Sequence, residues 1–113
     1  MDNIIVYIAG PITGDPDYKR KFRTAAQKLQ GHGYTVLNPA ELPTGLRAED
    51  YMRICHAMLD AAHMVVFLPG YRDSAGAQIE YGLASYTGKR IIVVHGYLDI
   101  WQPPDPEVMG NDK

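Results

Sequence analysis

Met64-Val65-Val66-Phe67-Leu68-Pro69-Gly70 sets five apolar residues in a row and then a stop signal. A strand with one wet face alternates apolar and polar residues, so a run without alternation needs cover on both of its faces. The same pattern recurs on either side. Ile4-Ile5-Val6-Tyr7-Ile8 is closed by Gly10 and Pro11, residues 34–37 are stopped by Asn38-Pro39, and Ile91-Ile92-Val93-Val94 follows Gly88. Helical spacing fills the gaps. Asp15-Pro16 offers a cap and a first-turn proline for a helix carrying Phe22, Ala25, Ala26 and Leu29 and ending near Gly31 or Gly33. Tyr51, Cys55, Met58, Leu59 and Ala62 form a second stripe. Ser74 caps a third helix that runs to about Tyr86, with Ile79, Leu83 and Tyr86 assigned to its buried side.

The order is therefore β-α-β-α-β-α-β, which predicts an α/β fold: one flavodoxin- or Rossmann-like domain with a parallel sheet of four or five strands between helices. Ligands of such sheets bind beyond the carboxyl ends of the strands, where the strand order switches, so the loops after the first and third strands are the places to search. Residues 1–96 are expected to form the domain. Residues 97–113 form a Pro-rich tail in which Pro103, Pro104 and Pro106 oppose a regular helix or central strand. Ile100-Trp101 is expected to dock on the domain or on a neighbour, and the last few residues to fray.

Composition narrows the class. The 113 residues fit a single domain, and 46% hydrophobic with 21% charged residues is ordinary for a folded one. A net charge of −2 gives no footprint for nucleic acid, and no stretch is apolar enough to span a bilayer. Met1-Asp2-Asn3 is not a basic leader, and the single cysteine, Cys55, excludes an intramolecular disulfide framework. A soluble cytoplasmic protein is the plain expectation. The four histidines, His32, His56, His63 and His95, lack metal-ligand spacing, so neither a metal nor another cofactor is expected.

Two segments can carry chemistry. The loop Ala9-Gly10-Pro11-Ile12-Thr13-Gly14-Asp15 lets backbone N–H groups approach an anion or a sugar closely, although it is neither a dinucleotide fingerprint nor a P-loop. Asp73-Ser74-Ala75-Gly76-Ala77-Gln78-Ile79-Glu80-Tyr81-Gly82 stands where the third strand passes into a helix. Ser74 with small residues behind it makes a phosphate or hydroxyl site. Glu80 lies six residues on, a rise of roughly 9 Å, and its side chain leans back toward the helix start. Arg47, Arg53 and Arg72 lie near these loops and are candidates to meet a phosphate, although a surface ion pair explains each taken singly.

Together, Val6-Tyr7-Ile8-Ala9-Gly10-Pro11 and Ser74-x-Gly76-x-x-x-Glu80-x-Gly82 resemble the nucleoside 2-deoxyribosyltransferase-like superfamily. Asn38-Pro39-Ala40-Glu41, Tyr51-Met52-Arg53, Met58-Leu59 and Leu68-Pro69-Gly70 are similar to its small phage and bacterial branch. The resemblance covers residues 4 to about 94, in order. It implies a retaining cleavage of an N-glycosidic bond. Glu80 would be the nucleophile on C1′ and Tyr7 its orienting partner; the loop with Gly10, Pro11, Ile12 and Gly14, together with Ser74 and Gly76, would hold sugar and phosphate. Ser74, where free-nucleoside transferases of the superfamily commonly have Asp, resembles the phosphate-binding form and implies a nucleoside 5′-monophosphate. The resemblance also implies a homodimer or larger assembly.

The chain departs from the pattern at one place. Where many relatives carry an aspartate serving the departing base, this chain has Cys55, with His63 eight residues on. Asp60 and Asp73 are the carboxylates available to compensate. A second reading follows from that departure: a protein that binds or sequesters a nucleotide in the same cleft without chemistry. A third, a structural subunit exposing the Trp101 tail, has only the tail in its favour.

Overall fold

Four strands, β1 (Ile5–Ala9), β2 (Thr35–Leu37), β3 (Met64–Phe67) and β4 (Arg90–Val93), pair in parallel in the order β2-β1-β3-β4. The computed structural model describes residues 3–106. Tyr7 lies beside Val65, and Val65 beside Ile91; Ala9 and Phe67 are in register at the ends of the two central strands. The order reverses between β1 and β3, so the crevice beyond their carboxyl ends opens there. This is the expected single α/β domain, with four strands among the described residues.

The pleat divides the apolar runs between two cores. Val6, Ile8, Met64, Val66 and Leu68 point to the side covered by α1 (Tyr18–Gly31), whose Phe22, Ala25, Ala26 and Leu29 are buried as predicted. Tyr7, Ala9, Val65 and Phe67 point to the other side, under α2 (Ala48–Ala61) and α3 (Ala75–Tyr86). Both faces of every central strand are thus filled, which is why the runs do not alternate.

Two expectations about helices are corrected. α1 begins at Tyr18, with Asp17 at its cap position, and not at Asp15-Pro16. Asp15 instead closes the preceding turn: its carboxylate accepts from the Asp17 N–H at 2.9 Å and pairs with Lys21 Nζ at 2.8 Å, contacts that hold it below the usual carboxylate range, the Lys21 bond first. In α3 the face is turned. Ala77, Glu80 and Ala84 are buried, while Ile79 is 56% and Tyr86 92% exposed and Leu83 only half-buried. Small residues let this helix lie close on the sheet; Leu83 packs at the edge of the core, and Ile79 and Tyr86 face outward.

The tail returns to the α1 side. Leu98, in a 3-10 turn over Leu98–Ile100, joins the core, and Trp101 packs half-buried against it while Ile100 stays exposed. Lys28 Nζ donates to the carbonyls of Asp99 and Trp101 at 2.9 and 2.8 Å, and the Tyr34 hydroxyl donates to the Pro104 carbonyl at 2.6 Å. No regular element spans residues 101–105. The predicted fraying of the last residues lies outside the described ones.

One glycine is fixed by packing where β1 ends. A methyl group on Gly10 would stand 3.0 Å from Leu68 Cβ, and because that atom sits next to backbone it cannot swing away. Gly10→Ala is expected to cost about 1–3 kcal/mol, seen as a lower midpoint in urea unfolding with an unchanged slope.

Candidate active site

Three pieces of chain meet beyond the ends of β1 and β3. The loop after β1 gives Gly10, Ile12 and Thr13. The turn and first half of α3 give Asp73, Ser74, Ala75, Gly76, Ala77 and Glu80. The third wall is Pro39, Leu46 and the inner face of α2, with Ala48, Tyr51, Met52 and Cys55. They enclose a cleft of about 660 Å³ with Tyr7 in its floor, within the usual range for a small-molecule site.

Local structure explains each placement. Gly70 takes a left-handed φ of 86°, which ends β3 and starts the 3-10 turn Tyr71–Asp73. Ser74 follows in extended conformation and its Oγ accepts from the Ala77 N–H at 3.3 Å, capping α3. Gln78 ties the turn to the helix by donating its side-chain amide to the Arg72 carbonyl. On the rear of α3, Tyr81 stacks on Tyr71 and packs against Phe67, with centroids 5.5 and 5.1 Å apart. These contacts fix the rotation of α3 and turn Glu80 inward. Asn38 accepts from the Ala40 N–H at 3.0 Å, shaping the 3-10 turn Pro39–Glu41.

At the floor, the Tyr7 hydroxyl donates to Glu80 Oε2 at 2.6 Å, a short, buried, charge-assisted bond when the carboxylate is ionised. Tyr7 is 1% and Glu80 6% exposed, and Glu80 is the one charged residue buried among the described residues. Burial raises the Glu80 carboxyl to about 7, against which the Tyr7 hydrogen bond pulls down. Burial, then the neighbouring Glu80 charge, lifts the Tyr7 hydroxyl far above the ordinary tyrosine range, so it stays a donor. The Cys55 thiol is likewise raised, first by burial. An acid held half-ionised near neutrality, fixed by one donor at the closed end of a cleft, can act as a nucleophile or a proton acceptor.

The structure thus gathers Tyr7, Gly10, Ile12, Cys55, Asp73, Ser74, Gly76 and Glu80 around one cleft. Three other candidates stand apart from its lining. Pro11 packs toward Gly70, Gly14 forms the turn with φ 85°, and Asp60 is exposed near the end of α2, its carbonyl taken by Lys89 Nζ. The arginines are engaged elsewhere: Arg47 and Arg53 with Asp50 at 2.8 and 2.7 Å, Arg72 with the Tyr71 hydroxyl at 3.3 Å. Tyr51 is a cleft residue that the sequence reading placed in a packing stripe and in the Tyr51-Met52-Arg53 motif, without a role in the site. Its spacing of four from Cys55 was the available signal, since both must share one helix face.

A family profile described as "Domain of unknown function (DUF4406)" matches residues 4–93. No curated protein matches the chain in sequence. Among solved structures, a 2-deoxyribosyltransferase from the psychrotolerant bacterium Bacillus psychrosaccharolyticus, described as a biocatalyst for the synthesis of antiviral and antitumoral nucleosides, superposes with a TM-score of 0.63. The match covers 96% of this chain and 92% of that one at 18% identity. The chain therefore has a nucleoside 2-deoxyribosyltransferase-like fold.

Proposed function

The chain belongs to the DUF4406 family, and from the site it builds we propose that it is an N-glycosidase or deoxyribosyltransferase acting on a nucleoside 5′-monophosphate. The observation that carries this reading is the buried Tyr7–Glu80 pair at the closed end of a nucleoside-sized cleft. Ionised Glu80 attacks C1′ of the sugar; the C1′–N bond breaks, its electron pair leaves with the base, and the base takes up a proton. Water, or a second base, then attacks C1′ of the glycosyl ester and frees the carboxylate. The oxocarbenium-like transition state is stabilised by a carboxylate already in place, so little reorganisation is needed as charge develops.

The sugar rests on the Gly10–Thr13 loop in this reading. The phosphate lies at the start of α3, where Ser74 and the first-turn N–H groups of Ala75 and Gly76 face the cleft end. Among the described residues, no lysine or arginine lines the cleft, and Asp73 stands at its mouth. Only backbone dipoles then favour the phosphate, an effect on the order of 1 kcal/mol, so preference for the monophosphate over the nucleoside should be modest. Like the resemblance to the small phage and bacterial branch, the proposed homodimer or larger assembly belongs to this reading. Supporting it, the outer face of α3 carries Gln78, Ile79, Ser85 and Tyr86 and no charge.

The test is incubation of the purified protein with ribo- and deoxyribonucleosides and their 5′-monophosphates, with free base measured by chromatography. Base released from at least one, and lost in Glu80→Gln, is the expected result. Nucleotide binding without release from any substrate would overturn the catalytic reading. It would favour the sequestering one, for which the replacement of the base-serving aspartate by Cys55 speaks.

A further inference from the structure

A second, smaller hollow of about 220 Å³ shares Ile12, Pro39, Leu46 and Tyr51 with the cleft and is otherwise bounded by Tyr18 and residues 42–45. The four shared residues line both spaces and so form a wall common to them. That wall is apolar. Its one polar side-chain group, the Tyr51 hydroxyl, donates to the Pro39 carbonyl at 3.3 Å and has no second hydrogen to offer a ligand. None of the residues lining the hollow carries a charge.

Two observations tie the hollow to the cleft. Tyr18 and Phe22, one turn apart on α1, pack edge to face with centroids 6.3 Å apart; the first lines the hollow and the second the cleft. One aromatic pair thus contributes apolar surface to both. Leu46 is 37% exposed although it borders two concave spaces. An apolar group lodged in the hollow would cover it, and removal of such surface from water is favourable in proportion to its area. An apolar cavity of about 150 Å³ holds a benzene, so the hollow has room for a ring of that size.

The proposed reaction sets the phosphate at the start of α3 and the sugar on the Gly10–Thr13 loop, which leaves the wall of Pro39, Leu46 and Tyr51 for the base. We propose that the hollow is an accessory subsite for an uncharged apolar group, up to the size of a phenyl ring, carried on the edge of the base remote from the sugar. The proposal rests on that placement of the nucleotide and names a substrate class within it, nucleotides with enlarged bases. The added group must be uncharged because an ion would lose its water in a space that offers no counter-charge.

The experiment measures binding to full-length Glu80→Gln protein, so that the ligand survives the titration. Each common nucleoside 5′-monophosphate is compared by calorimetry with its analogue bearing a phenyl group on the base. At least one analogue should bind about tenfold tighter than its parent. Its ring should also shift the methyl NMR signals of Leu42, which lines the hollow and not the cleft. Thr44 likewise lines only the hollow and is exposed, so a larger side chain can be placed there without disturbing the core. Thr44→Phe should bring the ratio of the two affinities close to one. The proposal is overturned if no analogue binds better than its parent, if the gain survives Thr44→Phe, or if the Leu42 signals stay in place. Base release by the wild type separates the two readings. Release without the preference removes the subsite and leaves the glycosidase reading standing; the preference without release does the reverse.

Discussion

Glu80→Gln should abolish turnover and at the same time raise the melting temperature at alkaline pH. The first half follows from removing the proposed nucleophile, a loss of at least about 10³-fold by analogy with other nucleophile deletions. The second follows from proton linkage. Burial places the folded-state value of Glu80 at about 7, above the 4.5 of a free side chain. Between those values the folded state holds a proton that the unfolded chain releases, so stability falls as pH rises from 4.5 through 7. Above that window the full penalty is present, on the order of 3 kcal/mol. Glutamine carries none of it and can still accept from Tyr7. The variant should match the wild type near pH 4.5 and melt roughly 10 °C higher at pH 8. Calorimetry at the two pH values checks this. Equal melting temperatures at pH 8 would mean that Glu80 is ionised in the fold without strain.

Tyr7→Phe should act on the pH profile more than on the fold. The ring still fills its place in the core, but the one interaction pulling the Glu80 carboxyl downward is gone. The acidic limb of kcat/KM, expected near pH 7 in the wild type, should move up by about one unit. At pH 7 the rate should drop roughly 10²-fold, part from the smaller ionised fraction and part from a carboxylate no longer held in line. Raising the pH to 9 should recover the first part and not the second. A uniform loss at every pH would instead mean that Tyr7 serves orientation alone.

The strands and their order of appearance were legible because runs such as residues 64–68 have no polar position to place outside. The cleft at the strand ends followed from the same topology, and its glycine loop and Ser74 cap were visible as turn chemistry. α3 was turned to the wrong face for a physical reason. Periodicity arguments weigh large apolar side chains, and Ile79, Leu83 and Tyr86 outweigh Ala77 and Ala84. Close packing on a sheet favours the small residues, and the Tyr7 hydroxyl makes room for a buried carboxylate that a pattern of apolar residues cannot announce. The start of α1 was misread because Asp15-Pro16 is also good turn chemistry, and Lys21 draws Asp15 into that role. Arg47, Arg53 and Arg72 were plausible anion ligands by position, but each found a partner within a few residues, which linear proximity to a loop does not reveal.

The two sides of the cleft are built from different kinds of chain. Glu80 stands inside a helix pinned from behind by Phe67, Tyr71 and Tyr81, whereas Leu46 on the opposite wall of the cleft also borders, with Leu42, Pro43, Thr44 and Gly45, a separate smaller hollow of about 220 Å³. In the proposed enzyme the wall that carries Leu46 can therefore change without disturbing the carboxylate and its tyrosine, whose placement rests on β1 and on the contacts behind α3.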